Sequence, residues 1–414
     1  MNRVIIIGGG AAGCMAAYMA AGYGAQAVLL ESTPRLMNKV RITGKGRCNL
    51  TNACGTEAFL AHIIHNPRFF RSAFARYDNQ WLMELFETLG VPLKSVERGQ
   101  RVFPQSDRAH DVADALVAAL AERGVEVLYK TRAKSLVEKQ GRIAAVQCEH
   151  GRTISGDAFI LASGGLSYPL TGSTGDGYAL ARQVGHTVTP LQPSLAPIQV
   201  EQAWVQKVAG LSLKNVCLRA IAAGKQVFCE QGEMLFTHTG VSGPLALSAS
   251  AHLEKQAWPQ TKLFIDWKPA LDEGQLKQRL IREMQFAPNR ETKTMMLQLV
   301  PKSMAEVMLS LAGIPAHLPC HDITKQKRAM LMAQLKRMEL TVRDVGPMEG
   351  AIVTKGGIQT KEIDPKTMRS KRIQNLYVAG EVLDLDAYTG GYNLQIAFST
   401  GAAAGTAAAQ SANQ

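Results

Sequence analysis

Apolar and polar positions along the chain fall into blocks, and the blocks predict its elements. Val4-Ile5-Ile6-Ile7 is an unbroken apolar run, as expected of a strand buried on both faces. It stops at Gly8-Gly9-Gly10-Ala11-Ala12-Gly13, and the small residues 11–21 read as a helix able to lie close to a sheet. A second apolar run, residues 27–30, closes on Glu31, completing strand, turn, helix and strand. Residues 56–130 alternate helical patterns with short breaks, and the aromatics among residues 68–77 fall at helical spacing, as in a core. The turn at 98–104 precedes a helix capped by Asp107 or Asp111 and ending near Gly124. Residues 125–129, 144–148 and 159–165 read as strands, the last ending in small residues.

The pattern changes at Pro190 and Pro193. From 191 to about 267 it consists of short alternating runs such as 216–221 and 262–265, which predict a small β domain. From 272 to 343 it becomes helical and carries eight of the sixteen methionines, suited either to helix cores or to an adaptable apolar surface. Near Gly346 the first pattern returns: residues 375–381 predict a strand ending in Gly380 and Glu381, and Gly390-Gly391-Tyr392-Asn393 opens a helix over 394–408. Residues 411–414 are expected to fray. The domain organisation expected is a discontinuous first domain, 1–190 with 345–414, interrupted by a β subdomain, 191–270, and a basic helical subdomain, 271–344.

The first block carries chemistry. Gly8 permits a sharp exit from the strand, Gly10 lets a pyrophosphate approach the backbone, and Gly13 lets the helix pack closely. The phosphates would meet the unpaired N–H groups of the helix start. Glu31 stands where a carboxylate accepts from ribose hydroxyls, which favours FAD or NAD over a phosphorylated ribose. The glycine loop 172–177 lacks the Lys-Ser/Thr of a P-loop and reads as part of a ligand wall.

Composition adds bounds. A chain of 414 residues exceeds one ordinary core, and the apolar segment 11–30 carries three glycines and Gln26 and is already explained as the first helix and second strand, so the reading is a globular protein without a membrane span. No signal peptide is recognisable, which predicts a cytoplasmic protein. Seven cysteines without a CxxC pair or Cys/His ligand spacing predict reduced thiols and neither a disulfide framework nor a metal site. The net charge is +12 and uneven, with twelve Lys/Arg against five Asp/Glu between residues 275 and 343. That imbalance suggests a polyanion such as RNA, although solvated helix faces also carry such charge.

Residues 43–52, Thr-Gly-Lys-Gly-Arg-Cys-Asn-Leu-Thr-Asn, form a loop built for hydrogen bonding. GGGAAG followed by ITGKGRCNLTN resembles the BaiN-like flavoproteins, also called the YhiN-like or aminoacetone oxidase family. The later landmarks Phe159 to Gly165, Leu235 to Pro244, Thr354 to Gly357, Ala379-Gly380-Glu381 and Gly390 to Gln395 extend the resemblance over nearly the whole chain. It implies an α/β fold: a Rossmann-like, two-part, glutathione-reductase-like FAD-binding domain with inserted β-barrel-like and helical subdomains. It also implies FAD contacts at Gly8, Gly10, Ala11, Ala12, Gly13, Glu31, Ser32, Arg47, Cys48 and Asn49, with backbone at Ala133 near the adenine. Ala162, Gly164, Gly380, Glu381, Gly391, Asn393 and Leu394 complete the implied set, and the helix after Gly391 would turn its N-terminal N–H groups to the flavin pyrimidine.

A flavin passes a hydride from N5 to a stacked substrate, so a donor and a proton source are needed. Only one GxGxxG stands in a strand-turn-helix setting, so NADPH or NADH is expected as a transient reductant without a domain of its own. The catalytic candidates are Cys48, in a cationic loop expected to depress its pKa, His238 and Tyr392, with Tyr388 similarly placed. Each is equally readable as structural. The resemblance implies three activities: reduction of steroid or bile-acid enones, conversion of ribosomal RNA uridine to dihydrouridine, and oxidation of small amines such as aminoacetone. The charge distribution favours RNA, with Lys325, Lys327 and Arg328 as contacts. A non-catalytic flavoprotein that binds RNA or a partner is the reading from a different class.

Overall fold

The computed structural model describes residues 2–96 and 99–411. The start of the expected turn at Arg98 and the tail 412–414 lie outside them. The chain divides into two compact units: Met1–Ser194 with Met348–Gln414, and Leu195–Pro347.

The first unit is built on a five-stranded parallel sheet in the order Leu376–Val378, Ala158–Leu161, Arg3–Ile7, Gln26–Leu30, Glu126–Leu128. Arg3–Ile7 is the central strand, with Ile5 between Phe159 and Val28, which accounts for its unbroken apolar run. The helix Ala11–Gly22 follows it, and the helix Tyr392–Gln410 packs against that one. Their contact is at backbone distance. A Cβ on Gly401 would lie 2.3 Å from the Ala12 carbonyl oxygen, and one on Gly405 would lie 2.2 Å from that of Ala16. Glycine is therefore required at both positions. The last strand and helix thus return beside the first ones, as the two-part fold expected.

Three small antiparallel sheets accompany the parallel one: Ala133–Lys139, Arg142–Cys148 and Thr153–Ser155; Thr51–Asn52, Arg101–Pro104 and Leu93–Val96; and Gln192–Ser194 with Val353–Lys355. The helix after the second sheet spans Ala109–Glu122 and starts at Arg108 without a side-chain cap. Neither Asp107 nor Asp111 caps it; Asp111 lies in its first turn, where a carboxylate still complements the helix dipole.

The second unit contains a closed six-stranded barrel: Ile198–Val200, Gly240–Ser242, Lys225–Phe236, Ser212–Ala222, Thr261–Asp266 and Met338–Val345. The sixth strand falls inside the stretch expected to be helical throughout. Met338, Leu340 and Val342 are fully buried while Glu339 and Arg343 are exposed, which is a period of two. No glycine or proline separates this strand from the helix Lys325–Arg337, so the change of period was masked. The helix Glu273–Phe286 opens with a capping box between Asp272 and Gln275. Met295, Met296, Met304, Met308 and Met338 are buried, so these methionines serve cores, and Met330 is exposed. Among the described residues no helix is long and apolar enough to cross a membrane.

Candidate functional site

Three strand ends of the first unit converge on its glycine turn. Gly8 has φ +107°, and a Cβ there would lie 2.6 Å from the Ala162 carbonyl oxygen. A Cβ on Gly13 would lie 1.8 Å from the Gly8 carbonyl oxygen, and one on Gly380 would meet the Ala12 methyl at 2.6 Å. At Gly10 the result is opposite: no atom of the protein lies within 4 Å of the position a Cβ would take. Space stands open there, directly before a helix with neither a side-chain cap nor an acidic residue in its first turn. Orphan N–H groups beside open space fit a pyrophosphate.

Glu31 is buried at the end of its strand, and its carboxylate accepts from the Gly9 N–H at 2.8 Å and the Thr33 N–H at 2.7 Å. The carboxylate expected to serve a ribose therefore also fixes the turn, and Oε2 keeps a second lone pair. Ser32 Oγ lies 3.4 Å from it, and Gly172 approaches both side chains. Ala133 is buried at the start of its strand, and Gly164, at φ +75°, faces Ser173. The Ser163 hydroxyl, directly before Gly164 in sequence, is buried without a hydrogen-bond partner among the described residues.

A second cluster forms where residues 43–52 meet the last helix. The chain leaves the helix Asn38–Gly46 through a break at Thr43, Gly44 and Lys45, and runs into Thr51–Asn52. Gly391, at φ +97°, packs on the Thr51 backbone, where a Cβ would lie 2.4 Å from the carbonyl oxygen. The Asn49 amide, oriented to satisfy both neighbours, accepts from the Gly391 N–H at 3.2 Å and donates to the Thr51 carbonyl at 3.1 Å. Helix Tyr392–Gln410 again starts without a side-chain cap and without an acid in its first turn. Asn393 holds the preceding loop, accepting from Ala387 N–H at 3.0 Å and donating to Ala387 and Tyr388 carbonyls at 2.8 and 3.2 Å. Leu394 is half-buried. The two clusters are joined through the helix pair and by the Gly380 N–H, which donates to Thr400 Oγ1 at 2.9 Å.

The catalytic candidates sit in different surroundings. Cys48 lies wholly buried in the core, and burial pushes its thiol up to about 12, the reverse of the depression expected from its cationic neighbours. Charges nearby in sequence do not act on a side chain turned inward; Arg47 instead lies over the Phe103 ring at 5.2 Å. Tyr392 is buried, with its ring stacked on His62 at 4.5 Å and edge-on to Phe59 at 4.8 Å, and burial raises its phenol. His238 belongs to the second unit, exposed between the strands Lys225–Phe236 and Gly240–Ser242.

Three sets of polar contacts escaped the sequence reading. Glu381 accepts from Lys39 Nζ at 2.7 Å, from Ser167 Oγ at 3.0 Å and from the Thr354 N–H at 2.9 Å. Its carboxylate is thus held by protein groups. Thr354 stands in a motif already prominent in the sequence, and that was the one available signal. The second joins the His65 ring through Nδ1 to Asp386, whose other oxygen accepts from Ser194 Oγ at 2.9 Å. A third set, Glu362, His186 and Ser370, has the connectivity of a hydrolytic triad. Ser370 is buried, however, and its Oγ accepts from the Arg372 and Ile373 N–H groups at 3.0 and 2.9 Å, so it pins a turn.

Comparison with known proteins places this geometry. The family model described as HI0933-like protein Rossmann domain matches residues 2–407. A 3-dehydro-bile acid delta(4,6)-reductase of Clostridium scindens is 34% identical over 417 residues, covering 99% of this chain and 100% of its own. A ribosomal RNA dihydrouridine synthase of Haemophilus influenzae is 30% identical, covering 96% of each chain. Among solved structures, the 3-ketosteroid delta1-dehydrogenase of Sterolibacterium denitrificans aligns at a TM-score of 0.54 with 13% identity, covering 99% of this chain and 100% of that one. At that identity the likeness is one of fold.

Proposed function

This chain belongs to the HI0933-like Rossmann family and is an FAD-dependent oxidoreductase, and from that premise we propose that it uses NADPH or NADH to saturate an electron-poor C=C bond, the C5=C6 bond of uridine in ribosomal RNA. Both relatives' names describe saturation of a conjugated double bond, in a bile-acid intermediate and in a uridine. Bound FAD would supply the hydride at its N5. The backbone N–H groups around Gly10, Ala11, Ala12 and Gly13 would take the pyrophosphate, with Gly8, Ala162 and Gly164 shaping the approach. Glu31, with Ser32, would accept from the adenosine ribose, and Ala133 would lie at the adenine. Arg47, Cys48 through its backbone, and Asn49 would wall the flavin side with Gly380 and Glu381. The helix start at Gly391, Asn393 and Leu394 would place its positive end at the pyrimidine, favouring the reduced, anionic form.

Among the described residues neither unit offers a second glycine-rich strand-turn-helix, so the nicotinamide would enter, reduce and leave before substrate binds. This order predicts ping-pong kinetics.

The observation that carries RNA over a small substrate is charge. The net +12 and the excess of twelve cations over five acids between 275 and 343 exceed what two phosphates of FAD require. Lys325, Lys327 and Arg328 open the helix Lys325–Arg337, each exposed or half-exposed. The second reading, reduction of a steroid-like enone, is favoured by the 34% identical relative. Purified holoprotein given NADPH or NADH and unmodified ribosomal RNA should form dihydrouridine. Reversing the three cations to Glu should lower RNA affinity and flatten its logarithmic salt dependence by about two units, at roughly 0.7 per phosphate contact. Enone reduction without any dihydrouridine formation would move the assignment to the second reading.

A further inference from the structure

Saturating a C=C bond requires a proton as well as a hydride, and neither Cys48 nor Tyr392 is a ready source. Burial has pushed the Cys48 thiol up to about 12 and has raised the Tyr392 phenol. Both are poor acids at neutral pH. The polar cluster around Asp386 has the property they lack.

Asp386 is fully buried, with no exposed side-chain surface. One of its oxygens meets His65 Nδ1 and the other accepts from Ser194 Oγ at 2.9 Å. That arrangement puts the ring proton on Nδ1 and directs Nε2 away from the carboxylate. The imidazole is 29% exposed, and Nε2 has no protein partner among the described residues. A buried carboxylate behind an open imidazole fixes the ring's orientation and leaves Nε2 facing outward.

The placement is equally specific. The segment carrying His65 is zipped antiparallel to the loop that leads into the last helix. Ile63 bridges Ala387, the Ile64 N–H donates to the Asp386 carbonyl at 2.9 Å, and Tyr388 N–H donates to the His62 carbonyl at 3.0 Å. Asn66 Nδ2 closes the pairing on the Asp384 carbonyl at 2.7 Å. Asn393, in the first turn of the helix, folds the same loop back onto that turn. His65 is thereby tied to the helix start proposed to face the flavin pyrimidine. The other ionisable groups packed here are Asp384, whose carboxyl burial raises, and the rings of His62, Tyr388 and Tyr392.

We infer that the His65–Asp386 pair is the proton source of this enzyme, with Nε2 as the donating atom. This rests on the reading of the reaction as C=C reduction. The hydride adds to the carbon β to the substrate carbonyl, C6 in uridine, and the π electrons move onto the α carbon and carbonyl oxygen. The imidazolium Nε2–H bond then breaks, its proton bonds to the α carbon, C5 in uridine, and neutral His65 recovers a proton from solvent.

The test separates the two half-reactions in the holoenzyme by stopped flow. In His65→Gln, bleaching of the flavin by NADPH or NADH should stay within about twofold. Reoxidation by ribosomal RNA or by a 3-dehydro-bile acid probe should slow about 10²- to 10⁴-fold, the usual share of a general acid. The fall in reoxidation rate toward alkaline pH should vanish in the variant. In nitrogen-15 histidine spectra, Asp386→Asn should abolish the His65 Nδ1–H tautomer signature. If His65→Gln fails to retain FAD, Ser194→Ala carries the test, with several-fold slower reoxidation expected and unchanged bleaching. Reoxidation at the wild-type rate, with the alkaline fall intact, overturns the pair as proton source. Wild-type enzyme that reduces neither probe overturns the reading of the reaction itself.

Discussion

Gly10→Ala separates what the protein needs from what its ligand needs. Gly10 has φ −80° and ψ −169°, a conformation alanine adopts freely. The new methyl group would meet no protein atom within 4 Å. As an N-cap residue alanine is worse than glycine by about 0.5 kcal/mol, while its stiffer unfolded chain gains about 0.4–1 kcal/mol. These nearly cancel, so the apoprotein's stability should change by less than about 0.5 kcal/mol. If a pyrophosphate occupies that space, the methyl group is an overpacking error worth about 1–3 kcal/mol. At about 1.4 kcal/mol per decade that weakens FAD binding roughly 5- to 140-fold. The assays are denaturant unfolding of the apoprotein and titration of apoprotein with FAD by quenching of flavin fluorescence. Unchanged FAD affinity would refute the placement of phosphate at Gly10. Gly13→Ala is the contrast: its Cβ would lie 1.8 Å from the Gly8 oxygen, so stability and binding should fall together.

Three other outcomes follow from the same structure. Gly401→Ala with Gly405→Ala forces methyl groups to 2.3 and 2.2 Å from backbone oxygens; despite alanine's better helix propensity, worth about 1 kcal/mol each, net destabilisation in denaturant unfolding is expected, and a stabilised variant would disprove the close helix contact. Burial pushes the Glu362 carboxyl up, but hydrogen bonds from Arg372, Thr187 and His186 prevail and hold it at about 2, below its ordinary 4.5; its stabilisation is present above pH 4.5 and is lost as pH falls toward 2, so Glu362→Gln should flatten the acid side of the stability curve, and an unchanged acid limb would contradict this. Native protein should expose only Cys217 and Cys229 to a thiol reagent, against seven thiols after unfolding; rapid labelling of Cys48 in the native state would contradict its burial.

What was legible in the sequence was local. Gly8, Gly10 and Gly13 lie within six residues, so their spacing displays the turn, and the apolar runs 4–7 and 27–30 display the strands that hold it. The C-terminal return was legible for the same reason, because Gly390-Gly391-Tyr392-Asn393 announces a helix start. Contacts made by distant residues were not. His65 and Asp386 are 321 residues apart, and nothing near either one marks it. Lys39 and Glu381 are 342 residues apart, and nothing local marks the lysine as a carboxylate's partner. Cys48 shows the converse error. Its sequence neighbours are cations, but the left-handed backbone at Cys48, φ 58°, turns the side chain into the core, where burial governs the thiol.

The central claim is that the glycine turn and the last helix, brought together by the Gly401 and Gly405 contacts, hold one FAD. Its most direct measurement is the visible spectrum of the purified protein with quantitation of released flavin. One FAD per chain, with oxidised flavin bands that bleach on adding NADPH or NADH, is the expected result. A colourless protein that takes up no added FAD would contradict the account.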